Sequence, residues 1–424
     1  MTRPNEEKLD NLLQWLLPST TKTSISEKIQ VKETQGSGRG IYATSDIKPN
    51  LPIITIDHSY LLNYTTIVAH IFSWGSRNKS LPDVYKNIKV PPAENEDHIT
   101  SLYKEFTLEE LGALSSFQIM SLFLELESSR GKESWWDPFI QMLPTINDFL
   151  TSPFLWQIQG KYELIEKLPK STQKHSLKMF NRFESDFKAV KTLLETHNAS
   201  KDIINHDKFV LYWMCINSRC LYMEIPQKKT TSDNFTMAPY VDFINHSTND
   251  QCKLKIDRTG FHVITTSNYK ENDELYLSYG PHSNEFLLCE YGFHLSNNEW
   301  NDLDITEEVI DLMNDDQIEY LKKVGYYGDY TINKQNVSFR TDVALAVLQE
   351  RDDLTINRRL SALLNGISDG SFYKRRSKQI LINILEKVKE DLERNLDLNS
   401  QDDPNLKVIE ALSKERVELI DSYL

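Results

Sequence analysis

Cysteine is scarce: the 424-residue chain has four, Cys215, Cys220, Cys252 and Cys289, too few and too scattered for a disulfide scaffold. That deficit fits a reducing compartment. Structural zinc is excluded as well, because no Cys-x2-Cys pair exists and Cys215 and Cys220 stand five apart with no second pair nearby. No metal is expected. Positive charge is also in deficit: 48 Lys and Arg face 62 Asp and Glu, a net charge of -14. Such a chain repels a phosphate backbone unless a basic patch is segregated. Direct nucleic-acid binding is therefore not expected, and a basic protein is the expected partner. Missing too is any apolar stretch near the roughly 18 residues of a membrane span, and Leu12-Leu13-Gln14-Trp15-Leu16-Leu17 is too short for a signal peptide. No membrane attachment is expected. Without a secretory signal, the Asn-x-Ser/Thr triplets at Asn63, Asn78, Asn198, Asn234 and Asn336 are chance matches. No internal repeat is visible.

What is present is a globular composition, 39% hydrophobic and 26% charged, on a length that suggests two or three structural units. Leu9, Leu12, Leu13, Leu16 and Leu17 predict an amphipathic helix over residues 5–17. Ile29 to Thr34 alternates like a strand, Gln35 to Gly40 reads as a three-glycine turn, and strands resume at Ile41–Thr44 and Ile53–Ile56. From about residue 98 to 215 the chain turns helical. Thr107 to Arg130 reads as one helix with a Thr107/Glu110 capping box, followed by helices at 172–197 and 207–222. Strand patterns return at Lys253–Ile256, Phe261–Ile264 and Glu274–Leu277. From 301 onward the chain reads as mostly helical, with a short β element near Val337 to Phe339 and long helices over 378–397 and 405–424. The stretch 302–319 holds eight acids and no Lys or Arg. It reads first as a solvated helix face and second as a docking strip for a basic substrate. Lys374, Arg375, Arg376 and Lys378 read as surface charges.

Gly36-Ser37-Gly38-Arg39-Gly40 is not a P-loop, since Ile41 stands where Lys is required, and its Gly-x-Gly-x-Gly spacing leads into a strand rather than the helix of a dinucleotide fingerprint. Alone it is a hairpin turn. Downstream, however, Tyr240-Val241-Asp242-Phe243-Ile244-Asn245-His246-Ser247 is followed 30 residues later by Leu277-Ser278-Tyr279-Gly280. This ordered set resembles the SET-domain protein methyltransferases. Trp135 to Pro144, Asn217-Ser218-Arg219, and Ser283-Asn284-Glu285 leading to Glu290-Tyr291-Gly292-Phe293 resemble the Rubisco large-subunit methyltransferase-like branch. Thr248 stands where many members have Cys.

The resemblance implies an α+β fold: small sheets with a pseudoknot, split by the helical insertion and followed by a mostly helical C-terminal domain. It places the catalytic domain at 1–300 with the insertion at about 98–215, and a substrate-binding domain at 301–424. The implied activity is S-adenosylmethionine-dependent N-methylation of a lysine on a non-histone protein, a ribosomal protein or translation factor. Methyl transfer from a sulfonium to an amine is an in-line displacement, so the protein's task is positioning and excluding water. By resemblance, Ser37, Gly38, Arg39, Gly40, Ser218, Arg219, Asp242, Asn245, His246, Tyr279 and Phe293 hold the cofactor. Tyr279 is the implied catalytic residue, and Tyr291 and Phe293 wall the lysine channel, where aromatic faces favour an alkylammonium. The plainer readings stand beside these: Tyr291 and Phe293 as core aromatics, His246 as a satisfied polar residue, Asp242 bonded to nearby backbone. Two alternatives stay open, a histidine methyltransferase of the same fold and a non-catalytic interaction module. A monomer in the cytoplasm, with the nucleus also allowed, is expected.

Overall fold

The computed structural model describes the chain apart from residues 1–3, 35–37, 76–81, 86–87, 92–95, 229–232, 250, 352–353, 395 and 397–402. Gly36 and Ser37 of the expected cofactor loop, and Asn78, lie outside the described residues. The chain forms two compact units, residues 1–147 with 181–281 and residues 148–180 with 282–424.

The first unit carries the strands β1 (Ser24–Ile25), β2 (Ile29–Thr34), β3 (Gly38–Ala43), β4 (Pro52–Ile56), β5 (Leu221–Tyr222), β6 (Phe235–Thr236), β7 (Asn245–His246), β8 (Lys253–Asp257), β9 (Gly260–Ile264) and β10 (Glu274–Leu277). They form two four-stranded sheets, ordered β1-β4-β9-β8 and β2-β3-β10-β7, with β5 and β6 paired separately. Side-chain alternation sets the faces: in β10 Leu275 and Leu277 are buried, while Glu274 and Tyr276 share the opposite, half-buried face. β2 and β3 pair from Ile29–Ala43 to Thr34–Gly38. Gly38 and Gly40 thus belong to a strand, not to the turn expected from Gln35 to Gly40.

One connection makes the site. β7 and β10 lie side by side in parallel, Asn245 against Tyr276 and His246 against Leu277, although β8 and β9 between them in sequence belong to the other sheet. The chain after β10 then returns across the 241–247 segment, where the Tyr279 hydroxyl donates to the Ile244 carbonyl at 2.8 Å. This crossing is the pseudoknot of small sheets.

The insertion is helical, with a break the periodicity hid. Thr107 to Arg130 is two helices, Leu108–Ala113 and Ser116–Arg130, and each starts with a capping box, Thr107 with Glu110 and Ser115 with Gln118. Ser115 satisfies the second helix's amides, which is why an uninterrupted apolar spacing still stops there. Helices Lys170–Thr196 and His206–Arg219 follow, the latter capped by Asn205.

Helix Ser116–Arg130 buries two carboxylates with opposite fates. Glu127 accepts from the Tyr103 hydroxyl at 2.7 Å and the Ser134 hydroxyl at 2.5 Å, and lies 3.4 Å from Arg130. Burial pushes its carboxyl up, but His70, Ser134 and Arg130 outweigh burial and hold it down at about 2. Glu125 accepts from the Asn205 amide at the N-terminus of the next helix, while its Oε2 has no hydrogen-bond partner. Burial pushes this carboxyl up to about 7.

In the second unit, Asp302–Asp304 and Thr331–Asn333 pair as strands β11 and β12. The helical reading from 301 fails at this point because Leu303 is a core residue flanked by two outward acids, a period of two. The β element expected near Val337 is a single bridge to Ile332, and Phe339 already opens helix Phe339–Val347. Helices Ser371–Glu393 and Pro404–Asp421 contribute Leu381, Ile384, Leu385 and Ile420 to the same core. The acidic run is partly neutralised within its own unit. Lys174 lies 2.5 Å from Glu307, and Lys170 lies 3.8 Å from Glu308 and 3.7 Å from Asp311.

Candidate active site

His246 and Tyr279 meet at the crossing. Their rings stack at 5.1 Å and 18°, and the Tyr279 amide donates to His246 Nδ1 at 3.2 Å. Nδ1 also lies 3.3 Å from the Leu277 carbonyl, so it faces a donor and an acceptor at once. The chain enters this region through Tyr240, whose φ of 69° is a left-handed conformation rare for a bulky residue. Tyr279 itself is half-buried. Burial pushes its hydroxyl up to about 12, opposed by Arg219 and reinforced by Asp242 and Glu274. It therefore stays a neutral phenol at physiological pH, able to accept a hydrogen bond but not to act as a phenolate base.

Beside it, Glu274 is a hub. Its carboxylate accepts from the Tyr42 hydroxyl at 2.8 Å, the Tyr276 hydroxyl at 2.8 Å and the Asn245 side-chain amide at 2.7 Å. A carboxylate can only accept, so Asn245 must turn its NH2 inward and present its carbonyl oxygen elsewhere. Gly40 is glycine because of this hub: a Cβ there would collide with Glu274 Oε1 and stand 3.0 Å from the Asn245 amide nitrogen. Gly38, at φ 68°, has open space where its side chain would be.

Arg219, at the end of helix His206–Arg219, donates to the Asp242 backbone carbonyl at 2.6 Å and reaches its carboxylate at 3.3 Å. Burial raises the Asp242 carboxyl above its ordinary value, with Arg219 and Arg39 opposing. Asp242 Oδ1 and Arg219 Nε are both buried with no hydrogen-bond partner. Each is a buried polar atom that a bound polar group could satisfy.

The other expected residues are placed as follows. Arg39 turns its guanidinium to the Met142 carbonyl at 2.7 Å and over the Phe243 ring at 4.9 Å. The Ser218 hydroxyl donates within its helix to the Met214 carbonyl at 2.8 Å. Tyr291 and Phe293 belong to the second unit, at the end of helix Asn284–Tyr291, their rings 6.0 Å apart at 59°. The Gly292 carbonyl between them accepts from the Thr151 hydroxyl at 2.9 Å. In the same motif Glu285 accepts from Ser171 at 2.6 Å and Thr172 at 2.8 Å and pairs with Arg416, while Asn284 donates to the Leu295 carbonyl at 2.7 Å and to Glu415 at 2.7 Å. These residues therefore build the support of the Tyr291–Phe293 segment.

A SET-domain model matches residues 38–280, and a model described as the ribosomal lysine N-methyltransferase 2 C-terminal domain matches residues 301–424. Ribosomal lysine N-methyltransferase 2 of Saccharomyces cerevisiae is 31% identical over 436 residues, covering 90% of this chain and 89% of the relative. The chain belongs to the SET-domain family. Other SET-domain relatives include ribosomal lysine N-methyltransferase set11 of Schizosaccharomyces pombe, 31% identical over 53% of this chain and 57% of the relative, and human SET domain-containing protein 4, 25% identical over 74% of this chain and 66% of the relative. Among solved structures, the SET domain of LSMT bound to lysine and AdoHcy superposes with a TM-score of 0.64 at 17% identity, covering 100% of this chain and 91% of that one. The fold is thus the SET fold with its helical insertion and helical C-terminal region.

The motif reading of this SET domain missed Glu274, Tyr42 and Met142. The signal for Glu274 was available: alternation in β10 puts it on the face of Tyr276, and antiparallel pairing places it opposite Tyr42. Met142 lies in the Trp135 to Pro144 stretch, but nothing in its residue type announces that its carbonyl anchors Arg39.

Proposed function

We propose that this SET-domain protein is an S-adenosylmethionine-dependent protein-lysine N-methyltransferase whose substrate is a ribosomal protein. The observation that carries the reading is the similarity to a ribosomal lysine N-methyltransferase along nearly the whole chain, the C-terminal region included. The chain's net charge of -14 suits a basic substrate of that class.

The residues fit the cofactor. The orphaned Asp242 Oδ1 and Arg219 Nε, the open space at Gly38 and the outward Asn245 carbonyl supply a donor, two acceptors and backbone access. In this reading Ser37, Gly38, Arg39 and Gly40 contact it mainly through backbone, and Ser218, Arg219, Asp242, Asn245, His246, Tyr279 and Phe293 complete its shell. When bound, the cofactor supplies an activated methyl group and a positive sulfonium. Tyr279 holds the target nitrogen in line by accepting from it. Its other tie, to the Ile244 carbonyl, fixes the hydroxyl's direction. Tyr291 and Phe293 contact the alkylammonium through their faces. Desolvation next to a positive charge lowers the lysine pKa, so the neutral amine forms without a dedicated base.

Residues 1–300, with the helical insertion at about 98–215, serve catalysis in this reading, and 301–424 serve substrate binding. The protein acts as a monomer in the cytoplasm, with access to the nucleus. Incubation with isotopically labelled S-adenosylmethionine and an RNA-free ribosomal-protein fraction tests the proposal. Label on one protein supports it. No label from a chain that also fails to bind the cofactor contradicts it.

A further inference from the structure

This acidic chain concentrates cations in one place. Residues 351–378 carry seven Lys and Arg against three Asp, a net charge of +4, which leaves -18 on the rest of a chain whose total is -14. Two helices of the second unit, Arg358–Leu364 and Ser371–Glu393, hold six of the seven basic residues and pack through one core that includes Leu360, Leu363 and Tyr373. The Arg359 guanidinium stacks 3.7 Å from the centre of the Phe372 ring, a ring that stays 60% exposed. Arg375 and Arg376 follow Phe372 at three and four residues, so they share its helix face. Both are exposed, whereas Tyr373 and Ser377 turn to the core. Lys374 pairs with Asp369 at 3.2 Å. Arg359, Arg375 and Arg376 form no ion pair among the described residues. Three guanidiniums with no ion pair among the described residues thus accompany one exposed aromatic ring.

We propose that this surface binds single-stranded RNA, its guanidiniums taking backbone phosphates and Phe372 a base. Planar guanidiniums suit phosphate oxygens in a way point-charge ammoniums do not, and an exposed ring backed by a cation is a stacking platform. The rest of the chain, strongly negative, repels a polyanion and so confines it to this patch. An anionic membrane fits less well. Ile356 and Ile367 are 77% and 81% exposed, but the outward helix face of Phe372, Arg375, Arg376 and Gln379 offers one apolar side chain, too few for an interfacial helix. The choice of RNA as the polyanion rests on the ribosomal-protein reading. The contact would let the enzyme meet its substrate while that protein is already associated with RNA.

The test is fluorescence anisotropy of a short labelled single-stranded RNA of mixed sequence with the full chain over a salt series. Wild-type binding weakens as salt rises. The variant carrying Arg359→Gln, Arg375→Gln and Arg376→Gln loses about 2 from the log–log salt slope, three phosphates at about 0.7 each. Phe372→Ala weakens binding on the order of tenfold with the slope unchanged. All the substituted side chains are exposed, and thermal melting confirms that each variant folds. The proposal is overturned by a wild-type chain that binds no RNA, by a triple variant that binds as wild type does, or by binding to phosphatidylserine vesicles without RNA. Methyl transfer to the RNA-free ribosomal-protein fraction is read in parallel. Absent transfer with RNA binding intact would remove the methyltransferase reading and leave the RNA contact standing.

Discussion

Glu125→Gln stabilises this protein above about pH 4.5, with the full gain reached near pH 7. Glu125 is buried with one backbone donor and one unpartnered oxygen, and its carboxyl is pushed up from the ordinary 4.5 to about 7. The folded state therefore binds this proton more tightly than the unfolded chain. That contribution to stability is complete below about 4.5 and is lost as pH rises through about 7. Each pH unit between the two values is worth about 1.4 kcal/mol, so the loss reaches about 3 kcal/mol once the carboxylate is fully ionised. Glutamine keeps the acceptor for the Asn205 amide and has no charge to bury, so the variant's stability is flat over that range. The assay is thermal or denaturant unfolding of both proteins from about pH 4 to about pH 9, a range that spans both the unfolded and the folded value. The curves should nearly coincide near pH 4, separate by about 1.4 kcal/mol per pH unit between about 4.5 and about 7, and run parallel above that. A constant difference at every pH, or a variant less stable at the alkaline end, would refute the buried-charge argument.

Other predictions concern the site. Tyr279→Phe keeps cofactor affinity and lowers kcat on the order of a hundredfold, because only the nitrogen-orienting hydroxyl is lost; unchanged transfer in single-turnover kinetics would remove that role. Glu274→Gln frees the Asn245 amide to rotate and raises the cofactor KM on the order of tenfold with a smaller change in kcat. Isothermal titration showing wild-type affinity would count against the hub. Transfer rises with pH above neutral because the substrate lysine must lose its proton while Tyr279, near 12, does not titrate; a flat profile with chemistry rate-limiting would contradict this.

Much of the first unit was legible because its motif residues sit in turns, strands and caps. Gly38, Gly40, the Asn245–His246 pair and Tyr279 form an ordered set along the chain, and the crossing brings the last three together. Local capping chemistry was equally readable at Thr107 and Glu110. What escaped was non-local. Glu274 gains its role only when β3, β7 and β10 are adjacent, which no window along the sequence displays. The helix break at Ser115 hid beneath an apolar spacing that continued through it, and β11 hid in an acidic run where only Leu303 carries the strand's period. Arg39 and Ser218 sit where the motif puts them, yet their side chains are occupied by Met142 and Met214 carbonyls, a choice of partner that depends on distances sequence spacing does not encode.

The most direct measurement is mass-spectrometric localisation of the methyl group after the purified protein acts, with labelled S-adenosylmethionine, on a methylation-depleted lysate. The account predicts label on a lysine of one ribosomal protein, introduced on the order of a hundredfold more slowly when Tyr279→Phe replaces the wild type. Label on a histidine, or on lysines scattered over many unrelated proteins, would contradict it.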